Sequence, residues 1–305
     1  MPTSTTPTAS SGPSHRCALR CATDLHPESA REGGVGVRSR ERSASERPPS
    51  GPEILVGVHP VREALRARRR TLKRLVLRAQ ARAPRPELLD LVGLAQERDV
   101  PIQEWAPDRF DHHVPPGSPH QGVLLEVGAL PSLDLADLAR PAADRPWLLA
   151  MDGIEDPQNL GAILRVGDAA GVQGALLPER RAAPLTPAVA RASAGALEHV
   201  PIASVTNLAR ALEILKREHG YWIHAADPAG EHDLYAMPDR LLEGPLVLVL
   251  GAEGRGVRPG VRAAVDITVR IPMGGRVDSL NVASAAAVVL FEWSRRARVR
   301  AAGRG

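Results

Sequence analysis

The chain has 305 residues, of which 39 are basic and 35 acidic, for a formal net charge of +4; that length accommodates two modest domains with buried cores. Its only cysteines, Cys17 and Cys21, form a CxxxC pair with no second pair and no His cluster nearby, which excludes a disulfide-built scaffold and argues against a structural metal site. No apolar run is long enough to span a bilayer and the N-terminus lacks an apolar signal region, so a soluble, cytoplasmic protein is expected.

Residues 1–52 are rich in Ser, Thr, Pro, Gly and Arg and lack apolar periodicity, so they read as a disordered tail. Order is expected from Glu53. "ILVGV" reads as a strand, "HPVREALRA" as a helix and "LKRLVL" as a second strand. "PELLDLVGLAQERD" has helical spacing, "VPIQEW" reads as a strand and, after "PDRFDHHVPPGSP", "HQGVLLEV" reads as a last strand. This alternation predicts a small α/β domain over 53–128. The stretch 129–146 reads as a linker.

The basic residues cluster. Between Arg62 and Arg85 ten Arg or Lys side chains face one acid, Glu63, a local charge of about +9 that leaves the rest of the chain near −5. Clustering of this kind suits a polyanion, most simply nucleic acid. Arg66, Arg69, Arg70, Lys73 and Arg74 are the candidate RNA contacts; a solvated helix face is the bland alternative.

From Trp147 to the end the alternation strengthens. Strands are expected at "WLLAM", "GALLP", "VPIA", "YWIHAA", "LVLVL" and "DITVRI". Helices are expected over 159–170, about 186–198, 207–220, shortly after 257, and over a closing segment from Asn281. Apolar runs, rather than alternating ones, predict a parallel sheet covered on both faces, with ligands beyond the carboxyl ends of its strands.

Three strand-to-helix loops carry the candidate chemistry. In "MDGIEDPQNLGAILRVGDAAG" Asn159 opens a helix, Arg165 follows on it, and Gly171 is a natural C-cap. In "LGAEGRGV" a glycine-rich turn carries Glu253; it has neither the Walker nor the dinucleotide spacing, and its carboxylate disfavours a phosphate. In "IPMGGRVDSLNVAS" a strand ends at Ile271 and Ser279 and Asn281 flank Leu280 at a helix start. Taken singly, each polar residue reads equally as a helix cap or a surface ion-pair partner.

In order and spacing the three loops resemble the SpoU (TrmH) family of RNA ribose 2′-O-methyltransferases. N-L-G-x-x-x-R matches Asn159 to Arg165, G-A-E-G matches Gly251 to Gly254, and I-P-M followed by S-L-N-V matches Ile271 to Val282. "HQG" at 120–122, with the segment before it, is similar to the family's small substrate-binding domain of the ribosomal L30e type. The likeness is greatest to the subgroup that methylates a guanosine ribose in 23S rRNA.

The resemblance implies a Rossmann-like C-terminal domain (147–305) whose end threads a deep trefoil knot. It also implies S-adenosylmethionine as methyl donor, no metal, and a homodimer with a site shared between subunits. Gly251, Ile271 and Leu280 would hold the cofactor. Arg165, Asn159, Glu253, Ser279 and Asn281 would be catalytic, with Glu253 anchoring Arg165 or the substrate. A permanently protonated guanidinium suits Arg165 as a clamp on a phosphate rather than as a plain base. Two rivals remain open: the same chemistry on a tRNA ribose or another rRNA nucleotide, and a non-catalytic RNA-binding assembly factor.

Overall fold

The computed structural model describes residues 53–80, 85–140, 146–276 and 278–303. The tail expected over 1–52, with both cysteines, lies outside the described residues. Twenty strands and helices follow in chain order: β1 (Glu53–Val56), α1 (Val58–Ala67), β2 (Leu72–Arg78), α2 (Pro86–Gln96), β3 (Ile102–Trp105), α3 (Pro107–His113), β4 (Val123–Val127), α4 (Leu135–Ala139), β5 (Trp147–Asp152), α5 (Pro157–Ala170), β6 (Gly174–Pro178), α6 (Pro187–Ala192), β7 (Ile202–Val205), α7 (Leu208–His219), β8 (Trp222–Ala226), β9 (His232–Asp233), β10 (Leu246–Gly251), α8 (Pro259–Arg262), β11 (Ile267–Arg270) and α9 (Val282–Ala302).

The first four strands form a mixed sheet in the order β1-β4-β2-β3. β4 runs antiparallel to both β1 and β2, while β2 and β3 are parallel. Gln121 ties the "HQG" segment to this unit: its Oε1 accepts the Val58 backbone N–H at 2.9 Å, satisfying a donor at the start of α1 that no side-chain cap covers. The segment after β3 opens with α3, where Pro107 at the first helical position tolerates the missing N–H.

The remaining seven strands form one all-parallel sheet, ordered β7-β6-β5-β10-β8-β11-β9. The apolar runs are explained by burial on both faces. Leu148, Ala150, Val247 and Val249 face the layer holding Leu212, Leu215 and Val261. Trp147, Leu149, Met151, Leu246, Leu248 and Leu250 face the layer holding Ile163, Leu164, Val289 and Trp293. Burying each such side chain contributes about 1.5–3 kcal/mol.

The chain leaves β5 toward β6 on one side, and β10 returns to the other side of β5. A crevice therefore opens where their carboxyl ends part. The single helix expected over 186–198 breaks into α6 and a 3-10 turn at Ala196–Glu198, because Ala194 (φ 51°) and Gly195 (φ 92°) adopt left-handed backbone conformations between them. The stretch read as a linker contains α4, and Leu133 bridges to Ala203 beside β7. The core of the small sheet, with Leu55, Val61 and Leu65, is continuous with one face of the large sheet.

Candidate active site

β5 ends on Asp152, which is fully buried and must be paired. Its Oδ2 accepts the backbone N–H of Arg258 at 2.8 Å and its Oδ1 accepts the Arg258 Nε–H at 2.6 Å. This pair ties the end of β5 to the far side of the glycine-rich turn after β10. The turn closes on itself through the Gly256 N–H, which donates to the Ala252 carbonyl at 2.8 Å. Gly251 is required by close approach: a Cβ there would overlap the backbone of Gly256 and Val257. The result is a closed turn on which Glu253 is exposed.

α5 begins beside that turn. Its N-cap is Asp156, whose carboxylate accepts the backbone N–H groups of Gln158 at 3.0 Å and Asn159 at 3.3 Å. The reading of Asn159 as an N-cap is thereby replaced: capping by Asp156 frees the Asn159 amide. The signal for Asp156 was present in the sequence, an Asp immediately before a Pro at the first helical position.

Asn281 caps α9 and does more. Its Oδ1 accepts the Ala283 N–H at 2.9 Å and the Ser284 N–H at 3.4 Å. These donors fix which end of the amide is oxygen, so its nitrogen points the other way. That nitrogen donates to Glu253 Oε1 at 2.7 Å and to Asn159 Oδ1 at 2.9 Å. The Asn159 amide nitrogen in turn donates to the same Glu253 oxygen at 3.2 Å. Three side chains from α5, the β10 turn and the start of α9 thus meet on one carboxylate oxygen. Glu253 Oε2 makes no hydrogen bond among the described residues. A hollow of about 300 Å³ opens beside this trio, lined among others by Glu155, Asp156, Glu253 and Arg255.

The other expected site residues are placed differently. Glu253 holds Asn159 and Asn281, so the expectation that it anchors Arg165 is corrected. Arg165 is exposed on α5 with no hydrogen bond or ion pair among the described residues, and it lines a second hollow of about 480 Å³ on the side of α1 and the 3-10 turn. Ser279 is exposed and makes no hydrogen bond among the described residues. Leu280 is 40% exposed, and Ile271 is half-buried against the core.

The basic cluster divides. Arg70 is buried: its Nε–H donates to Glu198 Oε2 at 2.9 Å and its Nη1 to Glu53 Oε2 at 2.7 Å. Arg69 donates through Nη1 to the carbonyls of Val200 at 2.9 Å and Glu198 at 3.3 Å. Their assignment to an RNA surface is corrected, since these two guanidiniums bind the small sheet to the large one. Burial is the main reason Arg69 lies below the usual guanidinium range, and it also raises the Glu198 carboxyl. Arg74 is half-buried, pairs with Glu126 at 2.6 Å and lies over the Trp105 ring. Arg66 and Lys73 remain exposed. Among the described residues no helix is long and apolar enough to cross a membrane, and no group of three or more His, Cys, Asp or Glu side chains is placed to hold a metal.

Comparison with known proteins accounts for both halves of this arrangement. The SpoU rRNA methylase family model matches residues 146–291, the large sheet and the trio. The model for RNA 2′-O ribose methyltransferase substrate binding matches residues 54–133, the small sheet. The 23S rRNA (guanosine-2′-O-)-methyltransferase RlmB of Pseudomonas putida is 39% identical over 253 residues, 81% of this chain and 98% of that protein. Its namesake in Pseudomonas syringae pv. tomato is 40% identical over 245 residues, 79% of this chain and 94% of that protein. The crystal structure of the SpoU methyltransferase AviRb from Streptomyces viridochromogenes, in complex with the cofactor AdoMet, superposes with a TM-score of 0.67 at 25% identity, covering 81% of this chain and 91% of that one. With both modules matched in order and four-fifths of the chain aligned to full-length relatives, this chain belongs to the SpoU rRNA methylase family.

Proposed function

We propose that this protein transfers a methyl group from S-adenosylmethionine to the 2′-oxygen of a guanosine ribose in 23S rRNA. The observation that carries the reading is the meeting of Asn159, Glu253 and Asn281, from three separated segments, at the carboxyl ends of β5 and β10. Supporting it, relatives at 39–40% identity carry that activity in their names and a structural neighbour was crystallised with AdoMet.

The residues fit such a cofactor. The hollow beside Gly251 is lined by three carboxylates, Glu155, Asp156 and Glu253, and one guanidinium, Arg255. That set repels a phosphate and attracts a sulfonium or an ammonium. By the family resemblance, backbone groups around Gly251, Ile271 and Leu280 would hold the cofactor. Bound there, the cofactor supplies a methyl group on an activated sulfonium.

The chain's own task is alignment. Asn281 and Asn159 lock Glu253, which keeps one oxygen for the incoming ribose or the cofactor. The Arg165 guanidinium grips a backbone phosphate of the acceptor strand, and Ser279 orients the loop before α9. Asn281 already sits against α5 and the β10 turn, which favours a trefoil-knotted arrangement of the C-terminal domain. Exposed Leu280, Met273, Phe291 and Val299 favour a homodimer in which Arg165 serves a site completed by the second copy.

The test maps ribose methylation on 23S rRNA and tRNA from a strain lacking the gene, and then on 23S rRNA incubated with the purified protein and cofactor. One guanosine in 23S rRNA should lose its 2′-O-methyl group and regain it in vitro; loss confined to tRNA, or none, rejects the reading. Arg165→Ala should fold normally and transfer methyl at least about a hundredfold more slowly; unchanged turnover removes Arg165 from the mechanism.

A further inference from the structure

The hollow that Arg165 lines is walled by both sheets' helices. Glu63 projects into it from α1, and Ser193, Ala194 and His199 border it from the α6 side. Across a sequence separation of 136 residues, His199 Nε2 lies 2.8 Å from Glu63 Oε2. The other carboxylate oxygen, Oε1, accepts Arg66 Nη1 at 3.2 Å. Both Glu63 oxygens are therefore engaged, and the carboxylate holds the Nε2 edge of the imidazole. His199 Nδ1 has no hydrogen bond among the described residues, and the side chain is about one-third exposed.

The wall is constructed at some cost. Ala194 holds a left-handed backbone (φ 51°), which is uncommon for a residue with a Cβ. Gly195 follows at φ 92°, and a Cβ there would lie 2.6 Å from Glu63 Cβ. Ser193 is buried and pins the bend, with its hydroxyl donating to the Ala190 carbonyl at 3.1 Å and accepting the Leu197 N–H at 3.2 Å. The bend brings His199 and Glu63 together; a continuous helix would not. The charges facing His199 are Arg165 and Asp168 from α5 and Glu63, with its partner Arg66, from α1.

We propose that His199, oriented by Glu63, is a second phosphate-binding residue beside Arg165, so that an imidazole and a guanidinium lining one hollow hold the RNA backbone next to the acceptor nucleotide. The proposal rests on the reading of this protein as an RNA methyltransferase. In it the small domain contributes Glu63, which acts through His199, and the domain junction becomes part of the substrate site. His199 here is a binding residue and Glu63 a positioning residue.

The experiment measures rRNA binding by the full chain across a series of salt concentrations, together with KM for RNA and for the methyl donor. A lost phosphate contact should lower the slope of log K against log salt by about one. His199→Ala and His199→Gln should both raise KM for RNA about tenfold and flatten the slope, leaving KM for the methyl donor unchanged. His199→Arg should restore affinity and slope, and Glu63→Gln should show a smaller loss in the same direction. An RNA affinity within twofold of the wild type in His199→Ala with the same slope, or a His199→Arg as weak as His199→Ala, overturns the proposal. Absence of methyl transfer by the wild-type protein would instead reject the functional reading, since the salt slope is read without turnover.

Discussion

At the scale of single residues, Asn281 shows how one side chain holds two tasks apart by using its two ends. The oxygen caps α9 and the nitrogen bridges Glu253 and Asn159. The tasks separate by mutation. Asn281→Ala removes both and should lower stability by about 1 kcal/mol, the usual value of an N-cap. Asn281→Ser keeps a capping oxygen but has no amide to reach Glu253. It should therefore melt near the wild type yet transfer methyl about a hundredfold more slowly, the expected result of a misaligned site. Thermal melting and turnover measured on the two variants check this; a fully active Asn281→Ser would show the bridge to be dispensable. The sequence made Asn159, Glu253 and Asn281 legible as a set only through the spacing of three motifs, because each alone reads as a cap or a surface group. It could not reveal that they share one carboxylate oxygen. Nor could it show that Arg165 faces a different hollow, since that depends on which side of α5 each position occupies once α9 and α6 are packed against it.

At the scale of elements, legibility follows burial. β5, β6 and β10 were readable to within a residue because strands covered on both faces are continuous apolar runs. β9 escaped because two residues, His232 and Asp233, carry no such pattern. α3 and α4 escaped because they are short and lie in Pro-rich polar stretches. The basic cluster was misread for a related reason. A run of arginines looks solvated, yet Arg70 is buried against Glu198, whose side chain is wholly inaccessible and whose Oε1 has no partner among the described residues. That contact joins β1 and the start of β2 to the 3-10 turn. Removing one partner of a buried pair leaves an uncompensated charge. Arg70→Ala should therefore destabilise the protein by about 3–5 kcal/mol, more than any exposed arginine in the same run. Replacing the two most buried charges together, Arg70→Met with Glu198→Leu, should recover part of the loss, Glu53 being left with solvent as its partner. Chemical denaturation of the single and double variants decides it: a loss below about 1 kcal/mol for Arg70→Ala would mean the two sheets are held by apolar contact alone.

At the scale of the whole molecule, the large sheet encloses a polar group that shapes its response to acid. His224 on β8 is fully buried and edge-on to Trp293, and neither ring nitrogen makes a hydrogen bond of good geometry among the described residues, so the Leu241 backbone and Asp266 only partly oppose the effect of burial. Burial holds its imidazole down at about 4, against an ordinary value of 6.5. Between those two values the unfolded chain takes up a proton that the folded chain refuses, so stability must fall as pH falls from about 6.5 to about 4. The full effect is of order 3 kcal/mol. Two carboxylates act elsewhere or oppositely. Glu292 is held at about 2 chiefly by Arg295, so its contribution is lost only as pH falls from its ordinary 4.5 toward 2. Glu198 is raised by burial, and its protonation favours the folded state as pH falls. The His224 effect is isolated by comparison with His224→Phe, which keeps an aromatic contact to Trp293 and cannot take up a proton. Urea midpoints measured from pH 7.5 down to pH 4.5 should fall steeply for the wild type and much less for His224→Phe, whatever constant offset the larger ring introduces. Parallel curves for the two proteins would show that the acid response originates in other groups and that His224 is protonated as readily inside the sheet as outside it.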